Sequence, residues 1–157
     1  MIRVLKKTVI ILLSFFSLHA HCQDYDTGLG IRTGVAWGLT VKHFVQTDGA
    51  VEGIISRRFN GLLATGLYEK HIPVFDTEGF YFFYGGGVHL GMWKKDIKDW
   101  FSSTDFQAGL DGIIGLEYSF GDVPLSLGMD WKPGFNLVSD PGMYIDNIAV
   151  SIRYLIR

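Results

Sequence analysis

Residues 146–157 alternate with a period of two. Ile148, Val150, Ile152, Tyr154 and Ile156 fall on one side, and Asn147, Ala149, Ser151, Arg153 and Arg157 on the other. An extended strand sends successive side chains to opposite faces, so the segment predicts a β-strand with one apolar and one polar face. The same two-faced pattern returns through most of the chain, without heptads or an amphipathic-helix spacing. A chain patterned this way must cover its apolar faces with another sheet, with its own closed interior or with lipid.

Turn chemistry divides the pattern into eight predicted strands: Gly28–Trp37, Leu39–Gln46, Ala50–Phe59, Leu62–Val74, Phe80–Lys94, Phe106–Phe120, Leu125–Val138 and Asn147–Arg157. The separators are Thr47-Asp48-Gly49, Asn60-Gly61, Asp76-Thr77-Glu78-Gly79, Gly121-Asp122-Val123-Pro124 and Ser139-Asp140-Pro141-Gly142. At Gly38 the separation is thin, and one long bent strand is the alternative there. In the sixth strand Phe106, Ala108, Leu110, Gly112, Ile114, Leu116, Tyr118 and Phe120 oppose Gln107, Gly109, Asp111, Ile113, Gly115, Glu117 and Ser119. Those residues extend about 50 Å, enough to cross a bilayer at a tilt of about 45°.

Residues 1–22 read as an export signal. Arg3, Lys6 and Lys7 give a basic start, Thr8 to Leu18 a short apolar core, and Ala20 and Cys22 small residues before a cut at Gln23. The rival reading has Cys22 carry a lipid, but His19, Ala20 and His21 make a poor lipoprotein box. The remaining segment, 23–157, is one domain. Removing the signal takes three basic and no acidic residues from 14 and 16, leaving a formal charge of −5, which argues against nucleic acid as a partner. With Cys22 gone the mature chain has no cysteine, so disulfides and thiolate metal sites are excluded.

Two closed sheets fit the alternation: a soluble lipocalin-like barrel with its apolar face inside, and a membrane barrel with that face outside. The glycines favour the second. Gly28, Gly30, Gly34, Gly85, Gly87, Gly91, Gly109, Gly115 and Gly128 lie on the charged face, where a watery exterior has no need of small residues. A narrow interior crossed by long charged side chains does need them. Aromatic residues near strand ends, among them Trp37, Phe59, Phe80, Trp93, Phe106, Phe120 and Trp131, fit interfacial girdles. The expected fold class is therefore all-β, a closed antiparallel up-and-down transmembrane barrel of eight strands.

With segments such as Gly38-Leu39-Thr40-Val41-Lys42-His43-Phe44 and Gly66-Leu67-Tyr68-Glu69-Lys70-His71, the chain resembles the small outer-membrane β-barrels of Gram-negative bacteria, the OmpX and OmpA membrane-domain type. The resemblance covers nearly all of 23–157. It implies residence in the outer membrane, outer-membrane lipid as a partner, and an interior filled by ion pairs.

The alternation itself places Arg32, Lys42, Arg58, Lys132 and Arg153 inside with Glu52, Glu69, Asp111, Glu117 and Asp130. Five positive and five negative side chains confined together are expected to pair into a plug, because an unpaired buried charge costs several kcal/mol. A conduit for small ions is the alternative and needs a continuous water path. His43, His71 and His89 lie on separate strands without metal-ligand spacing and read as interfacial or interior hydrogen-bonding histidines, and no metal or cofactor is expected. Some small barrels modify lipids, but Ser56, Ser119, Ser126 and Ser151 read inward with no His-x-Ser arrangement, so no catalytic residue is expected. Gly28-Leu29-Gly30 and Gly85-Gly86-Gly87 open no helix and are not phosphate loops. The longest connection, 95–105, carries Ile97, Trp100 and Phe101 among charges, predicting contact with the barrel rim or a protein partner. The oligomeric state is not encoded in any of these features.

Overall fold

The computed structural model describes residues 26–58, 61–75, 77–94, 104–138, 141–145 and 147–156. Ten strands follow one another: β1 (Thr27–Gly34), β2 (Trp37–Phe44), β3 (Gly49–Arg58), β4 (Gly61–Pro73), β5 (Phe80–Lys94), β6 (Thr104–Ser119), β7 (Leu125–Trp131), β8 (Gly134–Asn136), β9 (Gly142–Tyr144) and β10 (Ile148–Ile156). The pairing runs β5-β4-β3-β2-β1-β10-β7-β6, and β6 pairs back onto β5, so the sheet closes. Every pairing is antiparallel. Closure removes the edges that would otherwise leave N–H and C=O groups without partners.

The ten strands build eight staves, because two staves are interrupted. Strand β8 continues β7 in unchanged register, with Ile114 opposite Trp131 and Asp111 opposite Gly134. The predicted seventh strand, Leu125–Val138, thus breaks only at Lys132-Pro133. Pro133 has no N–H to give, yet its carbonyl still accepts from the Gly112 N–H at 2.9 Å. In the last stave, β9 and β10 hold one extra residue. Trp131 pairs Ile148 and Gly134 pairs Tyr144, so three steps on one side face four on the other, with the extra residue between Tyr144 and Ile148. The Trp131 indole donates to the Ile145 carbonyl at 2.6 Å and pins it. Residues 142–144, read from sequence as part of a connection, are therefore strand.

A second correction concerns Gly38. The chain turns at Val35-Ala36, and Gly38 lies inside β2, opposite Arg32 and Ser56. A Cβ on Gly38 would run into the Ile55 carbonyl oxygen and stand 2.6 Å from the Ser56 Cα. This glycine serves the close approach of β3, and that is why it punctuates the sequence without making a turn.

Large apolar side chains line the outer wall and charged ones the interior. Leu39 is 63% exposed and Ile114 43%, whereas Lys42 and Glu69 are both 0%. Along β3 the inward residues read Ala50, Glu52, Ile54, Ser56 and Arg58, and the outward ones Val51, Gly53, Ile55 and Arg57. Side-chain size follows the same division. A Cβ on inward-facing Gly87 would collide with the Gly66 carbonyl, while one on outward-facing Gly53 would meet nothing within 4 Å. Gly87→Ala is expected to destabilise the fold by about 1–3 kcal/mol through overpacking, and Gly53→Ala to stay within about 0.5 kcal/mol of the parent, measured by denaturant unfolding in lipid vesicles.

Candidate functional site in the barrel interior

Inward-facing residues of every stave form layers, and each layer can be followed from the end of the barrel that carries the start of β1 and the end of β10. At that end Phe44, Ala50 and Leu155 form an apolar cap. His71 packs edge-on to Phe44, with ring centres 4.9 Å apart, and stacks on Phe83 at 5.2 Å.

Above the cap lies the first ion-pair layer. Lys42 Nζ stands 2.8 Å from Glu69 Oε2, 3.0 Å from Glu117 Oε2 and 3.5 Å from Glu52 Oε2. Arg153 reaches Glu52 at 2.6 Å through Nη2 and Glu117 at 3.3 Å through Nη1. Thr40 donates its hydroxyl to Glu52, and His71 Nε2 lies 3.3 Å from Glu69. All five charged side chains are 1% exposed or less. The alternation of β2, β3, β4, β6 and β10 delivers one charge each to this layer. The Lys42 ammonium also sits 4.2 Å from the centre of the Phe83 ring.

Phe83 belongs to the next layer, where Ile54, Leu67, Phe83 and Ile113, from β3, β4, β5 and β6, pack into an apolar cluster on one side of the lumen. On β6 Ile113 lies between Asp111 and Glu117, and on β3 Ile54 lies beyond Glu52, so along these two staves the cluster stands between two groups of charges.

The far group centres on Asp111, which accepts from Lys132 Nζ at 2.7 Å and from the Tyr144 hydroxyl at 2.5 Å and faces His89 Nδ1 at 3.0 Å. His89 Nε2 lies 2.9 Å from Asn136 Oδ1, and Asn136 donates to Gln107 at 3.4 Å. Beside it Arg32 forks onto Asp130, with Nε donating to Oδ2 at 3.2 Å and Nη2 to Oδ1, and Nη1 donates to Asn147 at 3.5 Å. Arg58, half-buried at the far end of β3, has its guanidinium carbon 6.0 Å from the Tyr144 ring centre.

Nine of the ten charged residues selected by alternation therefore sit in two paired groups, and Arg58 marks the mouth. Sequence reading expected an interfacial or interior hydrogen-bonding role for His89 but did not place Asn136, Asn147 and Tyr144 in the second group. Parity was available for His89, which shares the inward face of β5 with Gly85, Gly87 and Gly91. No such signal existed for Tyr144, because its stave is bulged. Of the other histidines, His43 lies exposed on the outer wall beside the Thr27 hydroxyl at 2.9 Å. Among the described residues no three His, Cys, Asp or Glu side chains gather as a metal set. Ser119, Ser126 and Ser151 have buried hydroxyls with no hydrogen-bond partner among the described residues. Ile97, Trp100 and Phe101 lie outside the described residues.

An apolar-walled, charge-filled barrel of eight staves is the architecture of the small outer-membrane-type barrels that the sequence resembles. The chain is similar to the solved N-terminal β-barrel domain of OprF from Pseudomonas aeruginosa, with a TM-score of 0.62 over 82% of this chain and 93% of that one. Sequence identity is 11%, so what the two share is the fold. No family model matches the chain, and no curated protein matches it in sequence.

Removing the Lys42 charge leaves three carboxylates facing the buried layer with one fewer cation. Lys42→Met is expected to destabilise the barrel by about 3–5 kcal/mol. The exposed pair Lys70–Asp48, at 3.0 Å and about half solvated, is the control. Lys70→Met should cost at most about 1 kcal/mol in the same denaturant titration.

Proposed function

We propose that this protein is an integral outer-membrane β-barrel with a structural or interaction role, its interior closed by ion pairs and without a catalytic site. The observation that carries the reading is the inversion of the two faces. In water the exposed row Leu125, Leu127, Met129 and Trp131 on β7, repeated on other staves, would leave apolar surface unburied at a cost of about 25 cal/mol per Å². Acyl chains remove that cost. The closed ladder supports the same environment, since backbone polar groups facing lipid must find their partners within the sheet.

Against conduction stand the buried apolar clusters and ion pairs that fill the lumen, since an eight-stave interior is only wide enough for side chains to fill. Against serine-based catalysis, the buried hydroxyls of Ser119, Ser126 and Ser151 have no hydrogen-bonded base among the described residues. Residues 1–22 are proposed to act as the cleaved export signal, and the β5–β6 connection, with Ile97, Trp100 and Phe101, as the contact point for a protein partner.

The mature chain refolded in detergent should migrate differently on a gel before and after boiling, and in planar bilayers it should carry no steady ion current. A soluble product needing no detergent would revive the lipocalin-like reading. Discrete, reproducible conductance steps would instead replace the plug with a channel.

A further inference from the structure

The barrel is cut obliquely at its far mouth. Strands β1 and β2 are 8 residues long each, whereas β5 has 15 and β6 has 16. At the near end the staves stay in step: Thr27 pairs Ile156, Tyr154 pairs Leu125, Ser119 pairs Ser126 and Phe80 pairs Tyr118. The extra length therefore lies at the far end, where β5 and β6 remain paired as far as Lys94 and Thr104. Seven more residues add about 23 Å along a strand, or about 16 Å of height at a strand tilt near 45°.

The outer face of this overhang is apolar. Leu90, Met92, Phe106, Leu110, Phe135 and Leu137 are each between 45% and 53% exposed, continuous with Ile114 and Leu116 below, and no charged side chain interrupts them among the described residues. The low rim opposite also exposes apolar groups, Val35 in the turn and then Trp37 and Leu39, both 63% exposed, with the exposed Arg57 beside Trp37 marking its upper boundary. A bilayer has parallel faces. To cover both the overhang and the low rim, its far face must climb from β1–β2 to β5–β6, and its near face must climb with it.

The near ends of β5 and β6 are lifted out of the hydrocarbon into the headgroup zone, and there the structure has a row of rings. Phe75 contacts Phe80 at 5.4 Å, Phe80 contacts Tyr118 at 6.0 Å, and Tyr118 contacts Phe120 at 4.9 Å between centres. Phe75 holds a φ of 63°, which side chains rarely adopt, and leaves its ring 76% exposed. Rings with one polar member suit the membrane boundary.

We propose that the barrel stands obliquely in the bilayer, with the outer face of the β5–β6 overhang against acyl chains of the far leaflet and the Phe75–Phe80–Tyr118–Phe120 row at the headgroup boundary of the near one. The inference rests on the membrane reading above and specifies which lipid zone each sector meets.

Single nitroxide labels at positions 92, 106 and 114, in a Cys22→Ser background and in dimyristoylphosphatidylcholine vesicles, test it through collision rates with oxygen and with a water-soluble nickel chelate. Collisions with oxygen should dominate those with nickel at 92 and 106 as they do at 114. Nickel-dominated collisions at 92 and 106 with oxygen-dominated ones at 114 would put the overhang in water and overturn the inference. Shielding of 92 and 106 from both reagents would mean that protein, not lipid, covers them, and would overturn it equally. Nickel-dominated collisions at 114 would remove the membrane reading itself.

Discussion

Three carboxylates around one ammonium organise the lower interior. Glu52, Glu69 and Glu117 come from three different staves, and Lys42 touches all three from a fourth. At these separations and with almost no solvent, attraction between opposite charges is far stronger than at a surface, and so is the penalty for a charge left alone. Arg153 ties the same group to the last stave, adjacent to the first. The layer therefore joins the start, middle and end of the chain across the lumen. These charges could not lie on the outer wall without facing the same apolar surroundings as Leu127 and Ile152, so the alternation that creates the wall also creates the need for pairing.

Room for those side chains comes from the residues between them. Gly85 and Gly87 leave the inward face of β5 nearly bare across the middle of the barrel, where β4 and β6 present Leu67 and Ile113. Gly109 leaves space for the His89 ring, whose Cε1 would stand 2.5 Å from a Cβ there. Glycine normally weakens a strand because it brings backbone freedom and no packing. Here the closed ladder supplies the restraint, and the absent side chains become volume for buried rings and charged groups.

The faces were legible in the sequence because β-structure has a period of exceptional simplicity: from one inward residue, parity assigns the rest of a stave. That is why Arg32, Lys42 and Glu117 could be placed inside without knowing any contact. Parity does not say which charge meets which. Arg32 finds Asp130, 98 positions away, and Lys132 finds Asp111, because of the stagger between staves, a property of the closed sheet that no single segment encodes. The failures have local causes. Gly38 looked like a turn because glycine marks both turns and close approaches, and Tyr144 escaped because the extra residue between it and Ile148 shifts the phase of its stave by one. The Asp111–His89–Tyr144 group was thus visible only in part.

The most direct measurement of the paired interior is the solvent exchange of lysine ammonium protons, followed by nitrogen-detected NMR on the protein in lipid nanodiscs. The Lys42 ammonium should give a slowly exchanging signal correlated with the Glu69 and Glu117 side chains, while Lys70, half exposed on the outer wall, exchanges with bulk water too fast to be seen. If the Lys42 protons exchange as fast as those of Lys70, water reaches the layer and the interior is not a closed, charge-paired core.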